Sequence, residues 1–357
     1  MLGLAVLLTL RRRHGKQVFP ISVTQELKGL AVLAVVIAHF GYLISSDSRF
    51  MSPLSNYAGI GVDIFLFLSG FGLTISHMKH KLSILQFYNK RLKKLYIPLW
   101  ITLTVLFLMD FFILHRSYPL RYIGESVVGI FRTANNYHEV DSPLWYFTMI
   151  AFYYLLYPLV FLKKRPWLSA FIIFGITYFI LHHTQVKLIE SFGFYKIYTI
   201  AFPLGIIAAW ASTRAVKLKS LAFYKRAEAF YHRNKMTELV LRYPLLITLV
   251  AAFFELRRHT GPFDSPLREQ FYNVLSMLVV MLFFMVKRWT VKLFYLFGLY
   301  SYEIYLLHVP LVSRYDIFFR NTYPWLAVVL YLSFFVVLGW LLSVLQTLPG
   351  KIHAFDK

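Results

Sequence analysis

The stretch Glu26–Phe40, ELKGLAVLAVVIAHF, is apolar except for a lysine at its start and a histidine near its end. Wound as a helix at 100° per residue, the eleven steps from Lys28 to His39 turn the chain by about 1,100°, within about 20° of three full turns. The two polar side chains therefore share one face, roughly 16 Å apart along the axis, about half the thickness of a bilayer core. The segment between them can sit against lipid or other helices without cost. An ionisable group inside a spanning helix is expensive and marks a functional site.

The rest of the chain supports a membrane reading. Of its 357 residues, 58% are hydrophobic and 15% charged, and the apolar runs are long. Segments able to cross a bilayer are 25–44, 58–78, 95–114, 144–162, 167–183, 192–212, 239–256, 271–286, 294–312 and 324–345. The fold class expected is all-α, a polytopic transmembrane helix bundle of about ten spans. The formal charge of +22 would suggest nucleic acid in a soluble protein. Here the basic residues fall in short loops, where they set topology and meet anionic lipid, and no nucleic-acid partner is expected. Alternate loops hold 27 of the 38 Lys and Arg, which places both termini in the cytoplasm.

No fixed-period repeat or low-complexity linker divides the chain. Residues 1–24 read as a basic cytoplasmic leader, interfacial or disordered, because the charge of RRRHGK follows the apolar MLGLAVLLTL and ten residues are too few to span. Residues 25–346 form the membrane domain and 347–357 a cytoplasmic tail. The inner loop 214–242 spaces Phe223, Ala227, Phe230 and Tyr231 among basic residues, as a helix lying on the membrane face would. The outer loop 116–143 carries Asn135, Asn136, His138, Glu139 and Asp141, which suits a sugar-facing loop or an ordinary hydrated one. Its basic counterpart, 257–270, is also placed outside. The 25 Tyr and 35 Phe are read as interface belts and helix packing.

Cysteine is absent, so disulfides, thiolate metal sites and a cysteinyl acyl-enzyme are excluded, and no metal site is expected. His39, Asp63 and His308 fall at a similar depth near the outer face, whereas Lys28, Arg91 and Lys94 gather at the inner face. That arrangement suits an anionic substrate entering from the cytoplasm and proton transfer deeper in. His39 can act as general base on a hydroxyl nucleophile. Asp63 is a candidate to orient its imidazole, the alternative being a helix-end carboxylate that only reaches headgroups. His308 suits packing and the site equally, and Glu303 should pair with a basic or hydroxyl group on a neighbouring helix. Arg91 and Lys94, three residues apart on one helix face, can grip phosphate oxygens or simply obey the positive-inside rule.

Five motifs in order then carry a resemblance: Lys28 and His39; GVDIFLFLSGF at 61–71; Arg91 and Lys94; LWYFTMIAFYYLLYPL at 144–159; and GLYSYEIYLLHVP at 298–310. Together, from about residue 25 to 345, the chain resembles the acyltransferase-3 family of integral membrane O-acyltransferases. The resemblance implies transfer of an acyl group, most often acetyl from acetyl-CoA, to a hydroxyl of a cell-surface carbohydrate. It makes His39 catalytic, Lys28 part of the site, and Arg91 with Lys94 the contacts to the acyl-CoA donor, with no permanently bound cofactor. The expected location is the cytoplasmic (inner) membrane, with envelope-glycan biosynthesis proteins as partners. The chain departs from the pattern in having Lys rather than Arg at 28 and 94, and Ile150 and Ala151 where many members carry glutamates. A carrier of a glycan or its lipid-linked precursor is the alternative, and a non-catalytic assembly subunit a third reading.

Overall fold

The structure is a computed structural model that describes residues 10–12, 20–43, 51–80, 83–133, 139–183, 195–218, 235–260 and 265–355. The described residues form twelve α-helices: α1 (Ile21–Leu43), α2 (Ala58–Lys79), α3 (Ile84–Leu114), α4 (Leu120–Val128), α5 (Trp145–Val160), α6 (Pro166–His183), α7 (Ala201–Leu218), α8 (Lys235–Arg258), α9 (Pro266–Val286), α10 (Lys292–Leu299), α11 (Ser301–Val309) and α12 (Pro324–Phe355). Among them, seven helical segments are long and apolar enough to cross a membrane: 21–41, 54–79, 84–114, 142–160, 166–183, 266–286 and 324–346. Leu108, Phe111 and Phe112 of α3, Ile247 and Phe254 of α8, and Trp340 of α12 point outward, an apolar surface that lipid covers. The chain is a multi-pass membrane protein.

Of the remaining expected spans, α7 and α8 cover the sixth and seventh, and the ninth is broken. Its helix stops at Leu299 and restarts at Ser301, because Tyr300 leaves the helical region at φ −112°, ψ 20°. A five-residue π-turn, Pro310–Arg314, follows α11. A broken helix at membrane depth is tolerated where it is buried in protein or lines a cavity. Two further differences concern the ends. Leu10–Arg12, inside the leader expected to be interfacial or disordered, forms strand β1, paired antiparallel with β2 (Trp289–Val291), so Leu10 faces Val291 and Arg12 faces Trp289. At the other end α12 runs as helix into the segment 347–357. The inner-loop residues 223–231 lie outside the described residues.

Two backbone crossings set the packing. A Cβ added at Gly29 would overlap the carbonyl of Phe294, and one at Gly298 the carbonyl of Gln25, so α1 and α10 touch backbone to backbone. Gly70 and Gly205 do the same for α2 and α7 against the carbonyls of Phe202 and Phe67. Below the first crossing, the Lys287 ammonium donates to Glu26 at 2.8 Å with both side chains fully buried, over the Phe284 ring at 3.9 Å. Glu26 also accepts from the Val291 amide, which ties α1 to β2. A charge pair buried this way is kept by mutual satisfaction.

The segment between α3 and α5 is bound by carboxylates. Tyr118 and Tyr315 donate to Asp110 at 2.5 and 2.6 Å, joined by Arg314. Burial and the bond to Asp110 push the Tyr118 phenol up to about 12. Glu139 accepts from Tyr122 at 2.6 Å and Thr133 at 2.7 Å, so this carboxylate is engaged within the loop. Residues 135, 136 and 138 lie outside the described residues.

Gly29→Val is expected to force α1 and α10 apart and cost at least the roughly 1–3 kcal/mol of ordinary overpacking, because the obstacle is backbone. Thermal unfolding of the detergent-solubilised protein, with Gly124→Ala in open space as the control, measures it.

Candidate active site

A cavity of about 290 Å³ opens at the basic cluster and is lined by five helices. From α1 comes Lys28; from α2 Phe65 and Ser69; from α3 Arg91, Lys94 and Leu95; from α5 Tyr146, Ile150 and Tyr154; from α11 Ser301, Tyr302 and Tyr305. The spacings explain why these and not their neighbours: Phe65 and Ser69 are one turn apart, and Tyr146, Ile150 and Tyr154 form a four-residue ladder on one face of α5. Each of the five sequence motifs thus contributes at least one residue to one cavity, the first through Lys28, since His39 is not among the lining residues.

The three basic residues expected at the inner face are brought together. Lys28, half-buried, lies within electrostatic reach of Arg91, Lys94 and Glu303. Glu303 accepts from the Gln346 amide of α12 at 3.2 Å, neither a basic nor a hydroxyl group; the basic group within its electrostatic reach is Lys28. The Arg91 Nε is buried with no hydrogen-bond partner among the described residues, and Lys94 is exposed. Cations of graded exposure in a largely aromatic pocket suit an anionic headgroup whose tail is apolar. The tyrosines are held by backbone carbonyls: Tyr302 donates to Leu95 at 2.6 Å and Tyr305 to Pro143 at 2.7 Å. Their role at the cavity was not legible in the sequence, where aromatic content reads as packing.

His39 is buried on the α1 face that also carries Lys28. Its Nδ1 stands 2.7 Å from the Val35 carbonyl and 3.2 Å from Nε2 of His308, the rings meeting edge to face with centroids 4.8 Å apart. His308 in turn sits 6.4 Å, ring to ring, from Tyr305 of the cavity wall. The depth estimate therefore brought His39 and His308 to one place.

Asp63 is the exception. Both its carboxylate oxygens are buried without a hydrogen-bond partner among the described residues, so it makes no hydrogen bond to His39. It lies on the face of α2 that carries Gly59, four residues away, which packs on Asn273 of α9. The charges that act on Asp63 are Arg257 and Glu269. Arg257, expected in a hydrated outer loop, is buried: it donates to Asn273 at 2.7 Å and to the Asn56 carbonyl, and lies 5.6 Å over the Tyr57 ring. Depth was legible but azimuth was not, because Asp63 and His39 face different neighbours.

Among the described residues no group of three or more His, Asp or Glu has the arrangement of a metal site. Comparison with known families matches residues 27–344 to a family model described as an acyltransferase domain, that of the acyltransferase-3 family. No curated protein and no solved structure matches the chain.

If Asp63 belongs with Arg257, then Arg257→Met alone should cost about 1–3 kcal/mol, by taking the buried donor from Asn273 and the Asn56 carbonyl and the cation from Asp63. Adding Asp63→Asn should recover at least about 1 kcal/mol of that loss. A double-mutant cycle on unfolding midpoints measures the coupling, and strict additivity would separate the two residues.

Proposed function

Since this chain belongs to the acyltransferase-3 family, and so is a membrane acyltransferase, we propose that it moves an acyl group, acetyl first, from acyl-CoA to a hydroxyl of a cell-surface carbohydrate such as an exopolysaccharide, capsule or O-antigen. The observation that carries the reading is the convergence of the five motifs on one cavity with Lys28, Arg91 and Lys94 in its wall. The phosphates of CoA match these cations, Arg91 with a two-donor fork and the lysines as point charges. The extended pantetheine arm bridges the roughly 16 Å from Lys28 to His39.

His39 takes the acceptor's hydroxyl proton at Nε2 while the oxygen attacks the thioester carbonyl. The O–H bond breaks as the N–H and C–O bonds form. Collapse of the tetrahedral intermediate breaks the C–S bond, and the CoA thiolate leaves and takes up the proton. With no cysteine in the chain, no cysteinyl intermediate intervenes. Asp63 acts on this site only from a distance. The protein works in the cytoplasmic (inner) membrane as a ten-span bundle with both termini in the cytoplasm, alongside envelope-glycan biosynthesis proteins. The donor is a substrate, and no cofactor is permanently bound.

The break at Tyr300 favours a second reading, a carrier of a glycan or its lipid-linked precursor, because carriers build their sites at interrupted helices. Mass spectrometry of surface glycans separates the two. Base-labile esters should vanish on deletion and return with the wild type but not with His39→Ala, whereas unacylated glycans that merely fall in amount favour the carrier. Arg91→Met should weaken acetyl-CoA binding by tenfold to a hundredfold, on the order of one charge-assisted hydrogen bond, in calorimetry on the purified protein.

A further inference from the structure

The orienting partner that Asp63 does not provide is supplied by α11. His308 is fully buried, and its Nδ1 lies 2.9 Å from the Tyr305 carbonyl and 3.1 Å from that of Ile304. A carbonyl can only accept, so His308 Nδ1 carries the proton and the neutral ring presents its lone pair at Nε2. That lone pair faces His39 Nδ1 at 3.2 Å, and Nδ1 also faces the Val35 carbonyl at 2.7 Å. The Val35 carbonyl and His308 Nε2 are both acceptors, so a proton at His39 Nδ1 is shared between them. The lone pair of His39 is left at Nε2.

We propose that His308 is a positioning residue for His39, the two forming a dyad in which a neutral imidazole occupies the place a carboxylate commonly holds. The proposal rests on the reading of His39 as the base. His308 Nε2 fixes the tautomer and ring plane of His39, so that Nε2 is the basic atom, and keeps accepting the hydrogen bond from Nδ1–H when His39 becomes an imidazolium. A neutral partner brings no second buried charge to be desolvated, which suits a ring as buried as His308, between Tyr305 and Phe335. Protonated His308 would turn an N–H toward the N–H of His39, so the dyad works with His308 neutral.

The test uses the full chain in detergent and follows CoA release from acetyl-CoA with a thiol reagent, to which the cysteine-free protein is silent. His308→Leu removes the acceptor, and His308→Gln keeps one, since Oε1 can stand near the position of Nε2. The expected result is a kcat on the order of 10² lower for His308→Leu with KM for acetyl-CoA little changed, and substantial recovery in His308→Gln. A well-folded His308→Leu protein with the wild-type kcat, or a His308→Gln protein as slow as His308→Leu, overturns the proposal. A second measurement does not depend on turnover: nitrogen-15 spectra of histidine-labelled protein should show His39 and His308 both protonated at Nδ1, with a coupling between His39 Nδ1–H and His308 Nε2. Its absence in the wild type sinks the dyad even if acyl transfer is found; its presence without any acyl transfer sinks the reading of the reaction and leaves the tautomer assignment standing.

Discussion

Where α1 crosses α10, Gly29 and Gly298 leave no side chain between the two backbones. Helices that touch there can neither slide nor rotate by a residue without driving a carbonyl into a Cα. The crossing acts as a register mark. Lys28 precedes it by one position and so falls in the cavity wall, while His39 and His308 each lie ten residues beyond their crossing glycine. Equal offsets along chain segments running the same way bring the two rings to one level, although the second segment is interrupted at Tyr300. The buried Lys287–Glu26 pair fastens the same region from below. A small steric fact at two glycines thus positions both the cations and the histidines.

The two carboxylates nearest to a catalytic role by depth are put to other uses. Asp63 is turned toward Arg257 and α9, and Glu303 toward Gln346 and Lys28. Buried acids near a base would add fixed negative charge where, on the proposed reading, an anionic donor arrives. The dyad of imidazoles avoids that conflict, and the cavity wall contains three basic residues and no acidic one.

Much of this was legible in the sequence, and the parts that were not share a cause. Helical periodicity put Lys28 and His39 on one face, and spacing paired Arg91 with Lys94, because both are properties of a single helix. Axial depth grouped His39 with His308, since rise per residue is fixed. What failed was azimuth between helices: Asp63 shares their depth but faces away, and Arg257 was counted as a loop charge although it is buried against Asn273. The break at Tyr300 also escaped, because no proline marks it and Gly298, two residues earlier, reads equally well as a glycine at a close helix crossing. Tyr146, Tyr154, Tyr302 and Tyr305 were indistinguishable from packing aromatics until five helices were set around one space.

The graded exposure of the cations has a kinetic side. Lys94 at the surface and Lys28 further in meet an incoming polyanion in sequence, each exchanging part of its hydration for protein contacts. In the proposed reaction the acyl group departs but every phosphate stays on the leaving molecule. The cluster that captures the donor therefore grips free CoA equally well, since none of its contacts depends on the group transferred. Binding energy of this uniform kind does not speed the chemical step. It moves the slow step toward escape of the spent carrier, and it makes the cytoplasmic ratio of acylated to free CoA, more than the amount of either, the quantity to which the enzyme responds.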